Sequence, residues 1–118
     1  MVSGTDRGGR EVLEFRGRSL DDLRAFPETA RRRAGYELYR VEQGREPIDW
    51  KSIRMVGAGV DEIRIRDDSG AFRVLYVAKR AGVVFVLHCF QKKRQKMSRR
   101  DLDLAGKRYR ELMREIGP

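Results

Sequence analysis

Cysteine and histidine are almost absent, with one of each, Cys89 and His88, in 118 residues. A single cysteine excludes an internal disulfide framework and a cysteine-rich zinc site, and it suits a reducing compartment. A single histidine excludes a ribonuclease mechanism built on two imidazoles. No metal-ligand spacing is present, so neither a metal nor another cofactor is expected. No apolar run approaches the length that crosses a membrane, and residues 1–10 are glycine-rich and polar, unlike a signal peptide. A cytoplasmic protein without membrane association is expected.

Acid is also scarce relative to base: 18 Asp and Glu face 27 Lys and Arg, a formal net charge of +9. That excess makes nucleic acid the leading partner class, ahead of anionic lipid or an acidic protein. Apolar residues make up 40% of the chain, which excludes wholesale disorder. The length fits one domain. Residues 1–10 read as a disordered N-terminus and residues 11–118 as a single folded domain.

Glu11 to Arg16 reads as a short strand. Ser19 with Asp22 resembles a capping box for a brief helix carrying Leu20, Leu23 and Phe26, which must stop at Pro27. Pro27 opens a second helix in which Ala30, Ala34, Leu38 and Val41 recur at helical spacing, with Gly44 as its stop. Arg45 to Gly59 shows no period and is expected to be a long loop pinned by Trp50; Gly57-Ala58-Gly59 is a turn entering a strand. Strands then follow at Val60–Arg66, Ala71–Lys79 and Val83–Gln91, joined by hairpin connections. Ser98 with Asp101 caps a last helix with the apolar stripe Leu102, Ala105, Tyr109, Leu112, Met113 and Ile116. The expected class is α+β, β-α-α-β-β-β-α, with an antiparallel sheet packed by the N-terminal helices and the C-terminal helix.

The last strand ends in cations: Gln91 to Arg100 holds six Lys or Arg and no acid. Uncompensated charge of that density marks a polyanion site or a solvated face. Pairing Arg66 with Ala71 across the first hairpin sets Arg64 opposite Arg73; pairing Ala78 with Val83 across the second sets Arg73 opposite His88. One face would then carry Ile63, Ile65, Phe72, Val74, Tyr76, Phe85, Leu87 and Cys89 as core under the first two helices. The other would present Glu62, Arg64, Arg73 and His88 beside Leu75, Val77, Val84 and Val86, continuing through Phe90 towards Lys92. Two arginines directly opposed cost stability unless an anion or a carboxylate such as Glu62 relieves them. Such a row suits metal-free RNA cleavage, in which a ribose 2′-hydroxyl attacks its own phosphate. That reaction needs a base, cations for the phosphorane charge and an acid for the leaving oxygen. His88 reads either as a packed residue or as an acid or base, Phe90 as core or as a stacking platform, and Cys89 as structural.

The segments Ser19-Leu20-Asp21-Asp22-Leu23-Arg24-Ala25-Phe26-Pro27, Ala34-Gly35-Tyr36-Glu37-Leu38, Asp49-Trp50-Lys51, Gly57-Ala58-Gly59-Val60-Asp61-Glu62-Ile63-Arg64, Phe72-Arg73-Val74-Leu75-Tyr76-Val77-Ala78 and His88-Cys89-Phe90-Gln91-Lys92-Lys93 closely resemble the phage-related HigB-type branch of the RelE/ParE toxin superfamily. The resemblance runs from Val12 to Met113. It implies a RelE-like fold and an mRNA interferase that cuts transcripts on the ribosome. It also implies a cognate helix-turn-helix antitoxin as partner. Arg73 and Arg64 then match phosphate and transition-state stabilisers, Lys92 and Lys93 proton transfer or phosphate contact, and Phe90 base stacking, with His88 an additional acid or base. Arg94 and Lys96, in the same cationic run, are candidate RNA contacts. Two other readings stay open: a non-catalytic ParE-like gyrase inhibitor on the same fold, and a basic RNA-binding module.

Overall fold

A computed structural model describes residues 12–80 and 82–117; the disordered segment expected at residues 1–10 lies outside them. The elements run β1 (Val12–Phe15), α1 (Ser19–Arg24), α2 (Glu28–Glu42), β2 (Trp50–Ser52), β3 (Val60–Asp67), β4 (Gly70–Arg80), β5 (Val83–Lys92) and α3 (Arg99–Ile116). The architecture is α+β, a five-stranded sheet in the order β1-β5-β4-β3-β2 with helices on both faces.

Two features correct the expected topology. The sheet is mixed, because β1 runs parallel to β5 while the other pairings are antiparallel. The segment read as a loop contributes β2, with Trp50 opposite Ile63 and Lys51 opposite Glu62. Three residues are too few to show an alternation, so only the neighbouring strand reveals the pairing.

Helix α1 also starts differently from expectation. Arg18 is its N-cap residue and no side chain caps it. Ser19 is buried instead, and its hydroxyl donates to the Val86 carbonyl at 3.1 Å, tying the helix to β5. Pro27 does precede α2, whose Ala30, Ala34, Leu38 and Val41 are buried as their spacing requires. At α3 the Ser98 hydroxyl accepts from the Asp101 amide at 3.0 Å, so that cap forms as read.

The β3–β4 register is the expected one, with Arg64 opposite Arg73 and Ile65 opposite Phe72. The β4–β5 register is not. Arg73 pairs with Phe90, Val74 with Cys89 and Leu75 with His88, whereas Tyr76 pairs with Val86, so Leu87 is an extra residue in β5. Such a bulge inverts the side-chain alternation beyond it. Val84 and Val86 therefore join Ile63, Ile65, Phe72, Val74, Tyr76 and Cys89 under α1 and α2, while Phe85 and Leu87 face α3. Both assignments reverse those expected from uninterrupted alternation.

The first core is closed by Phe26 against Phe72, ring centroids 4.8 Å apart, a contact that contributes about 0.5–1.5 kcal/mol beyond burial. The second core sets Leu75, Val77, Phe85, Leu87 and Phe90 against Ala105 and Leu112 of α3. Tyr109 packs there too, and its hydroxyl donates to the Ala58 carbonyl at 2.8 Å. A Cβ at Gly57 would stand 2.4 Å from the Tyr109 ring, so the Gly-Ala-Gly turn is a seat for that ring.

A cationic row on the sheet face beneath α3

Cross-strand pairing aligns three rows on the face that α3 partly covers. Lys51, Glu62, Leu75 and His88 form one row, Arg64, Arg73 and Phe90 the next, and Arg66, Ala71 and Lys92 the third. Residues paired across adjacent strands share a face, so sheet order alone gathers these cations.

Arg73 is the centre of the row and is only 5% exposed. Its Nε lies 3.5 Å from Oε2 of Glu62, which is 2% exposed, and its Nη1 donates to the Phe72 carbonyl at 3.0 Å. The Nε itself is buried with no hydrogen-bond partner among the described residues. Burial pushes the pKa of Arg73 below the ordinary value; Glu62 opposes that shift, while Arg64 and Arg66 reinforce it. A guanidinium stays charged even so, which leaves a desolvated cation with unspent donor capacity.

Arg64 is more open, with Asp49 at 3.9 Å. Lys92, at the end of β5, has its pKa lowered by burial first and then by Arg73, with Lys51 and Arg64 adding and Glu62 opposing. A groove of about 410 Å³ lies beside this row, with Lys51, Lys92 and Lys96 among its lining and Glu62 in its wall. The structure thus brings Arg64, Arg73 and Lys92 onto one face with Lys96 at the edge. Lys93 and Arg94 are exposed in the segment before α3 and do not line the groove. Among the described residues, no three His, Cys, Asp or Glu side chains come together to hold a metal ion.

His88 and Phe90 are on the predicted face but lie beneath α3. His88 is 3% exposed; its Nε2 is 2.7 Å from Asp101 and its Nδ1 3.5 Å from Nη1 of Arg108. Its ring stacks on Phe90, centroids 5.0 Å apart. Both ring nitrogens are engaged within the fold, and Phe90, also buried, supports the row from below instead of offering a free face to a base. Cys89 lies in the opposite core, where burial pushes its thiol pKa far up, as a structural cysteine requires.

Burial also depresses the pKa of His88, although the hydrogen bond and charge of Asp101 oppose this. A histidine kept neutral binds fewer protons folded than unfolded, so acidification favours the unfolded chain. The stability it contributes is therefore present above the unfolded value of 6.5 and lost as the pH falls below it. Urea midpoints at pH 7.5 and 5.5 should fall further with acid in the wild type than in His88→Gln; an equal fall in both would remove His88 from this account.

Two participants escaped detection in the sequence. Lys51 was hidden in a segment without period. Arg108 is 8% exposed and donates to the Leu87 carbonyl at 2.9 Å; the signal for it was a charged residue lying between Ala105 and Leu112 on the apolar stripe of α3.

Residues 21–110 match the family described as Phage derived protein Gp49-like (DUF891). No curated protein matches the chain.

Proposed function

The chain belongs to the phage-derived Gp49-like family, a RelE-related, toxin-like family of toxin–antitoxin systems, and we propose that it is a HigB-type toxin with a RelE-like fold that cleaves mRNA on the ribosome. A helix-turn-helix antitoxin would be its cognate partner and the cytoplasm its place of action. The observation that carries this reading is the alignment of Arg64, Arg73 and Lys92 on one sheet face around a single buried carboxylate.

In the proposed reaction the ribose 2′-oxygen loses its proton and bonds to the adjacent phosphorus, and the 5′-oxygen of the next nucleotide leaves with a proton. The products are a 2′,3′-cyclic phosphate and a 5′-hydroxyl. In this reading Arg73 and Arg64 take the phosphate oxygens, and their charge counts most as the phosphorane forms. Lys92, whose partial burial and then its neighbouring cations favour the neutral form, suits proton transfer in this reading.

Arg64 offers the cleanest test of the site, because its side chain is 39% exposed and its ion pair with Asp49, at 3.9 Å, lies at the edge of contact. Arg64→Ala should leave the urea midpoint within error and lower cleavage by about a hundredfold, the scale of losing one positioned donor. Inducible expression with primer extension of cellular transcripts reads this directly. New in-frame 5′ ends with the wild type that fade with Arg64→Ala are expected. Growth arrest with DNA damage and intact transcripts would overturn the nuclease reading in favour of a gyrase-type inhibitor.

A further inference from the structure

Five large hydrophobic residues are exposed among the described residues, and three of them, Tyr36, Tyr39 and Ile48, belong to one surface. Tyr36 and Tyr39 stand at i and i+3 on α2, on the side turned away from the buried Ala30, Ala34, Leu38 and Val41. Ile48 follows in the loop before β2 and is 72% exposed. The buried Glu37 carboxylate accepts from the Ile48 amide at 2.8 Å, which fixes the loop where Ile48 and Tyr36 line one groove. That groove holds about 400 Å³, and Arg32 and Arg33 complete its wall.

The accessible charge there has one sign. Glu37 is the only acid in the groove lining, and it is 8% exposed and engaged by the Ile48 amide. Arg32 meets Glu28 at 3.7 Å with both side chains at least 70% exposed, a solvated pair that offsets little charge. Arg33 is held by a hydrogen bond to the Arg66 carbonyl at 2.7 Å, a neutral acceptor. Asp67, which shares the next hollow with Arg33, is engaged by the Ser69 amide and hydroxyl. Two copies joined through this face would set arginines against arginines, so self-association is disfavoured. RNA would meet the same charge, but it is held by ring faces and guanidinium planes, and the presented Ile48 side chain adds nothing to that. A protein partner uses all three parts.

Resting on the toxin–antitoxin reading only for the partner's identity, we infer that the outer face of α2 with Ile48 is the docking surface for an acidic amphipathic helix of the antitoxin. Such a helix seats apolar anchors at i, i+3, i+4 and i+7 in a groove of this kind. Acidic residues flanking the anchors meet Arg32 and Arg33, and tyrosine and arginine are the residue types that carry most binding energy at protein interfaces. Helix α2 packs on the sheet face opposite α3, so the docked helix leaves the cationic row uncovered.

The test uses the full chain with 13C-labelled tyrosine rings and isoleucine methyls. It is titrated with a synthetic helical peptide carrying leucine at i, i+3, i+4 and i+7 and glutamate on its flanks, with the same peptide carrying lysine for glutamate, and with oligouridylate. The expected result is movement of the Tyr36, Tyr39 and Ile48 signals by the acidic peptide, which binds at least tenfold more tightly than the lysine peptide. Ile48→Asp should weaken that binding at least tenfold and, as a change at an exposed position, keep the wild-type urea midpoint. Unmoved Tyr36 and Ile48 signals on the wild type, or equal affinities for the two peptides, would overturn the inference. Movement of the same signals by oligouridylate in preference to the acidic peptide would also overturn it, making the surface an RNA contact. Transcript cleavage in cells with these signals unmoved by the peptide would reject the docking surface and leave the nuclease standing; acidic-peptide binding here by a chain that cuts no transcript would do the reverse.

Discussion

Arg73→Ala is expected to abolish transcript cleavage and growth arrest, and to destabilise the fold at the same time. The first effect follows from removing the central cation of the row, worth about 10²- to 10³-fold for one positioned donor and more if Arg64 loses its bearing on the same phosphate. The second follows from burial. Glu62 is 2% exposed and Arg73 is its ion-pair partner, so alanine leaves a buried carboxylate without that partner. Breaking a buried pair from one side costs about 3–5 kcal/mol, much of a small domain's stability. A silent Arg73→Ala strain would therefore not separate a missing catalyst from a missing fold. The double variant Arg73→Met, Glu62→Leu removes both charges and should recover most of the stability in a urea melt while remaining inactive. Full cleavage by that variant would refute the role given to Arg73. Arg73→Lys should fold and lose most activity, because an ammonium keeps the charge but not the paired donors.

Arg108→Met should be the costliest single change away from the cationic row. The Leu87 bulge pulls one carbonyl of β5 out of its ladder, and the Arg108 guanidinium donates to it at 2.9 Å. Methionine keeps much of the apolar stem but offers no donor. A hydrogen bond from a charged group and the desolvation of an abandoned carbonyl together amount to about 2–3 kcal/mol. In a domain of this size that lowers the melting temperature by roughly 10–20 °C. The same guanidinium occupies the space beside Gly17, where φ is +56° and a Cβ would stand 2.5 Å from Nε. Arg108 thus also holds the turn between β1 and α1 against β5. A melting temperature unchanged within 2–3 °C would mean that the bulge carbonyl finds another donor, and that Arg108 is not what holds the bulge.

That bulge also marks where the sequence ceased to be sufficient. Between Val60 and Phe72 the alternation of Ile63, Ile65 and Phe72 with Glu62, Arg64 and Arg73 is unbroken, and a tight turn at Asp68-Ser69 allows one register. Arg64 opposite Arg73 was therefore legible. Between Val83 and Phe90 nearly every residue is apolar, so either face could be buried and alternation carries no information about register. Expected and observed pairings differ there by two residues at Arg73 and by face at Val84 through Leu87. The same ambiguity explains His88. Its face was correct, yet whether that face is open depends on where α3 lies, and the stripe on α3 states which side of the helix is buried without stating against what.

Local chemistry alone determined the helices, the Ser98 cap, the β3–β4 hairpin and the concentration of cations at the end of β5, because each depends on contacts within a few residues. The tertiary structure decided the parallel β1 pairing, the short β2 that brings in Lys51, the bulge at Leu87, the covering of His88 and Phe90, and the burial of Arg73 with Glu62. These depend on the free energy of closing long loops and of desolvating charges, which is set by the surrounding elements together and is not written in any one segment.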